Sequence, residues 1–244
     1  MDNINNTNDM EDLSPLIMDM LHRIVVHHTL WFREVEHQLG FEKALEAMDN
    51  VYSKSSSIHM KRLAQTFDFE APNGIPEFLS DLPREKQQEV AEVLAKNWLA
   101  QDGVWFQSVE FVRGMNDAKR CNDSTWARFS PFEAWSVKRL LGLDDHPGLD
   151  GLEKALKFRM YAMLNQQTII RDGNSLILQM NKCRVQTARV RKALPDYPCK
   201  SAGLVEYTTF AEAIDDRIKT ECIGCPPDEH PDNWFCAWRF YIED

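Results

Sequence analysis

This 244-residue chain has no surplus of basic residues, no long apolar run and no basic leader, and each absence narrows what it can do. Its 28 Lys and Arg stand against 38 Asp and Glu, for a net charge of −10. Such a surface repels phosphate backbones and anionic lipid, so neither nucleic acid nor a membrane is an expected partner. No apolar stretch approaches the ~18 residues of a membrane span. Residues 1–12 are polar and acidic, without the charged start and apolar middle of a secretory signal. The expected location is the cytoplasm. Hydrophobic residues at 43% and aromatics at 10% suffice for one large domain or two small ones.

What is present in excess is cysteine near the end of the chain. Five of the six cysteines, Cys183, Cys199, Cys222, Cys225 and Cys236, fall in the last 62 residues. In a reducing compartment such clustering points to metal ligands or redox thiols rather than a disulfide framework. Cys222, Cys225, His230 and Cys236 read as C-x2-C-x4-H-x5-C, within one residue of a zinc-knuckle spacing, and thiolate plus imidazole is the donor set that zinc prefers. Cys199 or Cys183 can stand in for His230, and four or five thiolates can also hold an iron-sulfur cluster. Zinc is the expected cofactor and iron-sulfur the alternative. Three acidic residues in the loop, Asp228, Glu229 and Asp232, argue against a nucleic-acid knuckle. Against any metal stands the plainer reading that Cys236 is a core residue and Cys222 and Cys225 a reduced pair.

The first half contains a duplication. Residues 31–49 align with 105–123 at seven of 19 positions: Trp31/Trp105, Phe32/Phe106, Val35/Val109, Glu36/Glu110, Gly40/Gly114, Ala44/Ala118 and Asp49/Asp123. Unrelated sequences would agree at about one. After a three-residue insertion Lys61-Arg62-Leu63 also matches Lys138-Arg139-Leu140. Ile24, His28, Trp31, Val35 and Leu39 keep helical spacing, Gly40 can end a helix, and 41–52 resumes the period. Each copy, about 21–67 and 95–143, is expected to be a bent helical pair plus a third helix, with a further helix over 83–99. On each copy an aromatic is flanked by polar groups on one face: His28, Phe32 and Glu36, then Asp102, Phe106 and Glu110. Eight residues span ~12 Å of helix, so these groups need partners from another helix. An antiparallel packing of the copies would bring His28 to Glu110 and Asp102 to Glu36 as an acid–base or metal constellation. Otherwise the Trp-Phe pairs are core anchors and the carboxylates pair with the Lys-Arg segments.

Beyond residue 150 the periodicity changes. A helix over 152–165, a strand over 175–180, a basic helix over 184–192, an extended 203–207, a short helix over 210–214 and strands over 218–223 and 234–242 are expected, the last two forming a hairpin around a proline-rich loop. The organisation is then a flexible 1–20, a mainly helical 21–150 carrying the internal repeat, and a 151–244 part built as a small α/β plait with a cysteine-bearing hairpin. The class is α+β. On the basic helix Arg184 and Arg191, at i and i+7, could clamp a carboxylate, or simply form a solvated basic face.

The Trp31-Phe32-x-x-Val35-Glu36-x-x-x-Gly40-x-x-x-Ala44 unit, Cys183-Arg184-Val185-Gln186-x-x-Arg189, Pro198-Cys199-Lys200, and Cys222-x-x-Cys225-Pro226-Pro227-Asp228 through Trp234-x-Cys236-x-Trp238 together carry a resemblance. They resemble a family of uncharacterised cytosolic proteins of anaerobic bacteria and archaea, related to the L-2-amino-thiazoline-4-carboxylic acid hydrolases, over most of residues 20–244. The C-terminal third is also similar to vinyl-reductase-type ligand-binding domains. The resemblance implies hydrolysis of a C–N or C–S bond in a small carboxylate-bearing molecule but carries over no catalytic residue; the residues themselves offer a thiolate-bound metal to polarise the substrate or activate water, and Glu36 or Glu110 as base. A non-enzymatic metal or ligand sensor and an iron-sulfur redox protein are the other classes that fit. The expected partner is a small molecule, with a homodimer as the assembly to test.

Overall fold

The computed structural model describes residues 11–191, 193 and 196–243, so residues 1–10 of the expected flexible segment and Lys192 lie outside it. From Ser14 onward that segment is helical. Helix α1 (Ser14–Leu39) meets α2 (Phe41–Phe67) at Gly40. A short α3 (Glu77–Ser80) follows, and α4 (Arg84–Arg113) meets α5 (Met115–Leu141) at Gly114.

The duplication is visible as the same joint made twice. Gly40 has φ 90° and ψ 163°, and Gly114 has φ 90° and ψ 169°, a region essentially closed to residues with a Cβ. At each joint the glycine N–H donates to the carbonyl of the residue four earlier, Glu36 (2.9 Å) or Glu110 (2.8 Å), and its own carbonyl accepts from Ala44 (3.1 Å) or Ala118 (3.2 Å). Both alanines are buried where the paired helices approach. Glycine and alanine therefore match between the copies because the joint needs them. Each copy is a pair of long helices: the expected third helix is the continuation of α2 or α5, and the helix expected over 83–99 is the first half of α4. The expected core role of the Trp-Phe pairs divides, since Phe32 and Phe106 are half-buried while Trp31 and Trp105 are 63% and 68% exposed.

The chain splits into two compact units between Leu82 and Pro83, not at residue 150. The reason is packing: α5 lies along α8 (Lys200–Ile214), more extensively than any other pair of elements meet. The second helical copy thus belongs to the same unit as the α+β part. In that unit α6 (Gly148–Leu156) and a 3-10 turn (Met160–Met163) lead into β1 (Gln166–Asp172), β2 (Ser175–Lys182), α7 (Arg184–Val190), α8, β3 (Ile218–Gly224) and β4 (Cys236–Ile242). The four strands form one antiparallel sheet in the order β1-β2-β4-β3. Alternate residues Leu176, Leu178 and Met180 of β2 are buried, as are Trp238 and Phe240 of β4, as the two-residue period of a strand dictates. Most of these join Leu152 and Leu156 of α6 and Tyr207, Phe210 and Ile214 of α8 in a single core.

Three differences from the sequence reading have physical causes. Residues 203–207 are helical: Gly203 sits in α8 because a Cβ there would lie 2.5 Å from Cζ2 of Trp238, so the helix rests flush on the indole. The helix expected over 152–165 stops at Leu156, and the chain turns where Arg159 swings inward to Glu133. Strand β1 has a largely exposed burial pattern and so lacks the apolar alternation that marks a strand. Replacing Gly114 with Ala is expected to destabilise the second unit by about 1–3 kcal/mol. Gly103→Ala, in the interior of α4 with nothing within 4 Å of the added carbon, should stabilise it by roughly 0.5–1 kcal/mol. Urea unfolding of both variants measures the contrast.

Candidate functional site

The second unit holds a cavity of ≈ 560 Å³ between α4, α5, α7, α8 and the hairpin. Its wall on α4 carries Asp102, Phe106 and Glu110, the expected face of the repeat. Cys183, Cys199, Cys225 and Cys236 also line the cavity. The acid–base residues and the cysteines, separate candidates in the sequence, therefore line one space. Arg184 also lines it, and Arg189 takes the position expected for Arg191, which caps the end of α7 outside the lining. His28 and Glu36 lie on α1 of the first unit, His28 exposed and Glu36 half-buried.

Each thiol is placed by a local device. Buried Gln186 holds the segment before α8 by exchanging two hydrogen bonds with the backbone of Tyr197, Nε2 to O at 2.9 Å and N to Oε1 at 2.8 Å, and its Nε2 also donates to Cys199 Sγ at 3.3 Å. Cys183 caps the start of α7, whose Arg184 N–H is held by Asn165 Oδ1 at 2.8 Å. Cys225 directly follows the end of β3 and Cys236 begins β4, and Cys236 is the neighbour that most strongly raises the Cys225 thiol. Cys222 is half-buried on β3, outside the cavity lining, and Cys121 is exposed on α5.

His230 departs from the knuckle-like set. Its Nε2 lies 3.0 Å from Asp196 Oδ2 and its Nδ1 3.0 Å from the Pro231 carbonyl, so both ring nitrogens are engaged away from the thiols. Among the described residues, the metal-type donors that converge within 4.8 Å in a group of three are His146, Asp215 and Asp216. There Asp215 already accepts from Arg217 Nε (2.9 Å), Arg217 Nη2 (2.7 Å) and Gly148 N (2.8 Å). Among the described residues neither Cys199, Cys222, Cys225, His230 and Cys236 nor the four cavity thiols bring three donors within 4.8 Å of one another, although thiols are the right chemistry for a soft metal.

Sequence reasoning missed the charged floor of the cavity. Arg159, 1% exposed, donates from Nε to Glu133 Oε2 (2.9 Å) and from Nη2 to Glu206 Oε1 (2.7 Å), and its guanidinium lies 4.6 Å from the Phe210 ring centre. Glu206 lines the cavity. A carboxylate on the apolar Gly203, Tyr207, Phe210, Ile214 stripe of α8 was the available signal. Beside it Tyr161 stacks on Trp126 at 5.5 Å. These apolar surroundings shift the titrations. Burial raises Asp102 and Glu206, Arg159 opposing the shift only at Glu206. Burial also pushes the Cys183 thiol up to about 11 and the Cys199 thiol well above its ordinary value. Burial thus favours the protonated form of the Cys183 and Cys199 thiols and moves the Asp102 carboxyl in the same direction.

Because the folded-state pKa of Asp102 is raised, the native state binds more protons than the unfolded chain just above pH 4, and stability falls as pH rises through that window. Asp102→Asn removes the penalty. The variant should match the parent near pH 3.5 and exceed it in stability at pH 7, as read by urea unfolding at the two pH values.

No curated protein and no solved structure matches the chain. A model of a family of unknown function (DUF6125) matches residues 7–82 and 80–242, dividing where the two compact units divide. With nearly the whole chain covered, this protein belongs to the DUF6125 family.

Proposed function

We propose that the protein is an enzyme that binds a small carboxylate-bearing molecule in the cavity of the second unit and hydrolyses a C–N or C–S bond within it. The observation that carries this reading is the convergence of Asp102, Glu110 and Arg184 on one ≈ 560 Å³ space, a volume typical of small-molecule sites. Arg184 supplies a planar cation for the substrate carboxylate. Asp102, whose carboxyl burial pushes above the usual carboxylate range, is suited to give a proton to the departing nitrogen or sulfur. Glu110, two helical turns along α4 and ~12 Å away in backbone position, takes the proton from attacking water. The related thiazoline-carboxylate hydrolases suggested by the sequence resemblance supply the bond type.

Assay of small carboxylates containing C–N and C–S bonds, with release of ammonia or thiol as readout, tests it. For any substrate found, Asp102→Asn and Glu110→Gln should each lower kcat by about 10²–10⁴-fold, while Arg184→Ala should mainly raise KM. Full turnover in both acid variants would overturn the assignment.

A second reading, a metal or iron-sulfur protein of the sensor or redox class, draws on the four thiols that line the cavity. Under it, protein purified without oxygen carries stoichiometric zinc, or iron with acid-labile sulfide, and the Cys225→Ser, Cys236→Ser double variant loses it. Metal-free protein that folds normally would end that reading.

A further inference from the structure

The β3–β4 register pairs Cys222 with Trp238 and Gly224 with Ala237 across a bulge at Ile223. Carried one residue on, it sets Cys225 opposite Cys236. Directly opposed residues of antiparallel strands have Cα atoms ~4.5–5.5 Å apart, inside the ~4.4–6.8 Å range that a disulfide spans. Two further observations bear on the pair. Cys236 is the neighbour that most strongly raises the Cys225 thiol, and both residues line the cavity, Cys225 with 1% exposure and Cys236 half-buried. Reagents therefore reach this pair through the cavity rather than from the outer surface.

We infer that Cys225 and Cys236 form a dithiol/disulfide couple that exchanges with low-molecular-weight disulfides entering the cavity. Cys236, the more accessible, loses its proton and attacks one sulfur of a small disulfide R–S–S–R. The S–S bond breaks, a Cys236–S–S–R bond forms, and one R–S⁻ leaves and takes up a proton. Cys225 then gives up its proton and attacks the Cys236 sulfur, closing Cys225–Cys236 and releasing a second R–SH. Two protein thiols are oxidised by two electrons and one small disulfide is reduced by two. Cys225 suits the second step: the neighbouring Cys236 and burial raise its thiol and hold its proton until the mixed disulfide forms. The inference is independent of the hydrolytic reading, since it uses neither Asp102 nor Glu110.

The test is incubation of the reduced full-length protein with oxidised glutathione without oxygen, acid quench, alkylation of remaining thiols and peptide mapping. The expected product has lost two hydrogens and carries a Cys225–Cys236 cross-link. Cys225→Ser should instead accumulate glutathione on Cys236, and Cys236→Ser should lose the internal cross-link. The wild-type map decides the matter even if a variant misfolds. Glutathione found only on exposed Cys121, an internal cross-link between Cys183 and Cys199, or recovery of all six thiols would each overturn the inference. Turnover assays on the same samples report separately on the hydrolytic reading.

Discussion

The second unit is organised around one buried cation. Arg159 sits between Glu133 of α5 and Glu206 of α8, and Glu133 uses its other oxygen to accept the Met160 N–H at 2.9 Å. A guanidinium withdrawn from water is tolerable only with such partners, and losing one leaves an uncompensated charge in an apolar interior. The requirement fixes three elements at once. It ends α6 by pulling the chain inward, it starts the 3-10 turn that places Tyr161, and it orients α8 so that Glu206 faces the cavity while Gly203 and Tyr207 lie on Trp238. The triad carries one net negative charge, so the floor of the cavity is anionic while Arg184 and Arg189 stand on α7. A ligand entering therefore meets charges of both signs among aromatic side chains, where fields are stronger than in water.

The same burial decides the chemistry of the lining. It moves the Cys183 and Cys199 thiols and the Asp102 carboxyl toward their protonated forms, in which these side chains act as donors. Nucleophilic or metal-binding use of these cysteines begins with a proton leaving, so any ligand that takes them up must displace protons. This is why spacing alone was a poor guide to the metal question: C-x2-C-x4-H-x5-C counts residues along the chain, while His230 found a carboxylate at Asp196 and Cys183 and Cys199, distant in sequence, found the cavity.

Much of the architecture was legible beforehand. The repeat identities pointed to two equivalent helical joints because Gly40 and Gly114 carry a backbone conformation that other residues avoid, and the period-two pattern of 236–242 gave the last strand and its buried face. Asp102 and Glu110 were legible as one face of α4 by helical spacing. The association of that face with the cysteines was not, because it depends on α5 lying along α8, a contact between residues some seventy positions apart. Arg159 and Glu206 were missed for a related reason: each looks like an ordinary surface charge until its partner is brought in from another helix. Gly203 misled outright, since a glycine demanded by an indole is indistinguishable in sequence from one that breaks a helix.

The joint at Gly114 gives α4 the mechanics of a lever. Asp102 lies twelve residues from the pivot, ~18 Å along a rigid rod at 1.5 Å per residue. A difference of roughly ten degrees at that one glycine would displace Asp102 by ~3 Å, about a hydrogen-bond length, and Glu110, close to the pivot, far less. The position of Glu110 is thus set by the joint itself, whereas that of Asp102 depends on the packing of α4 against α5 and the 3-10 turn as well.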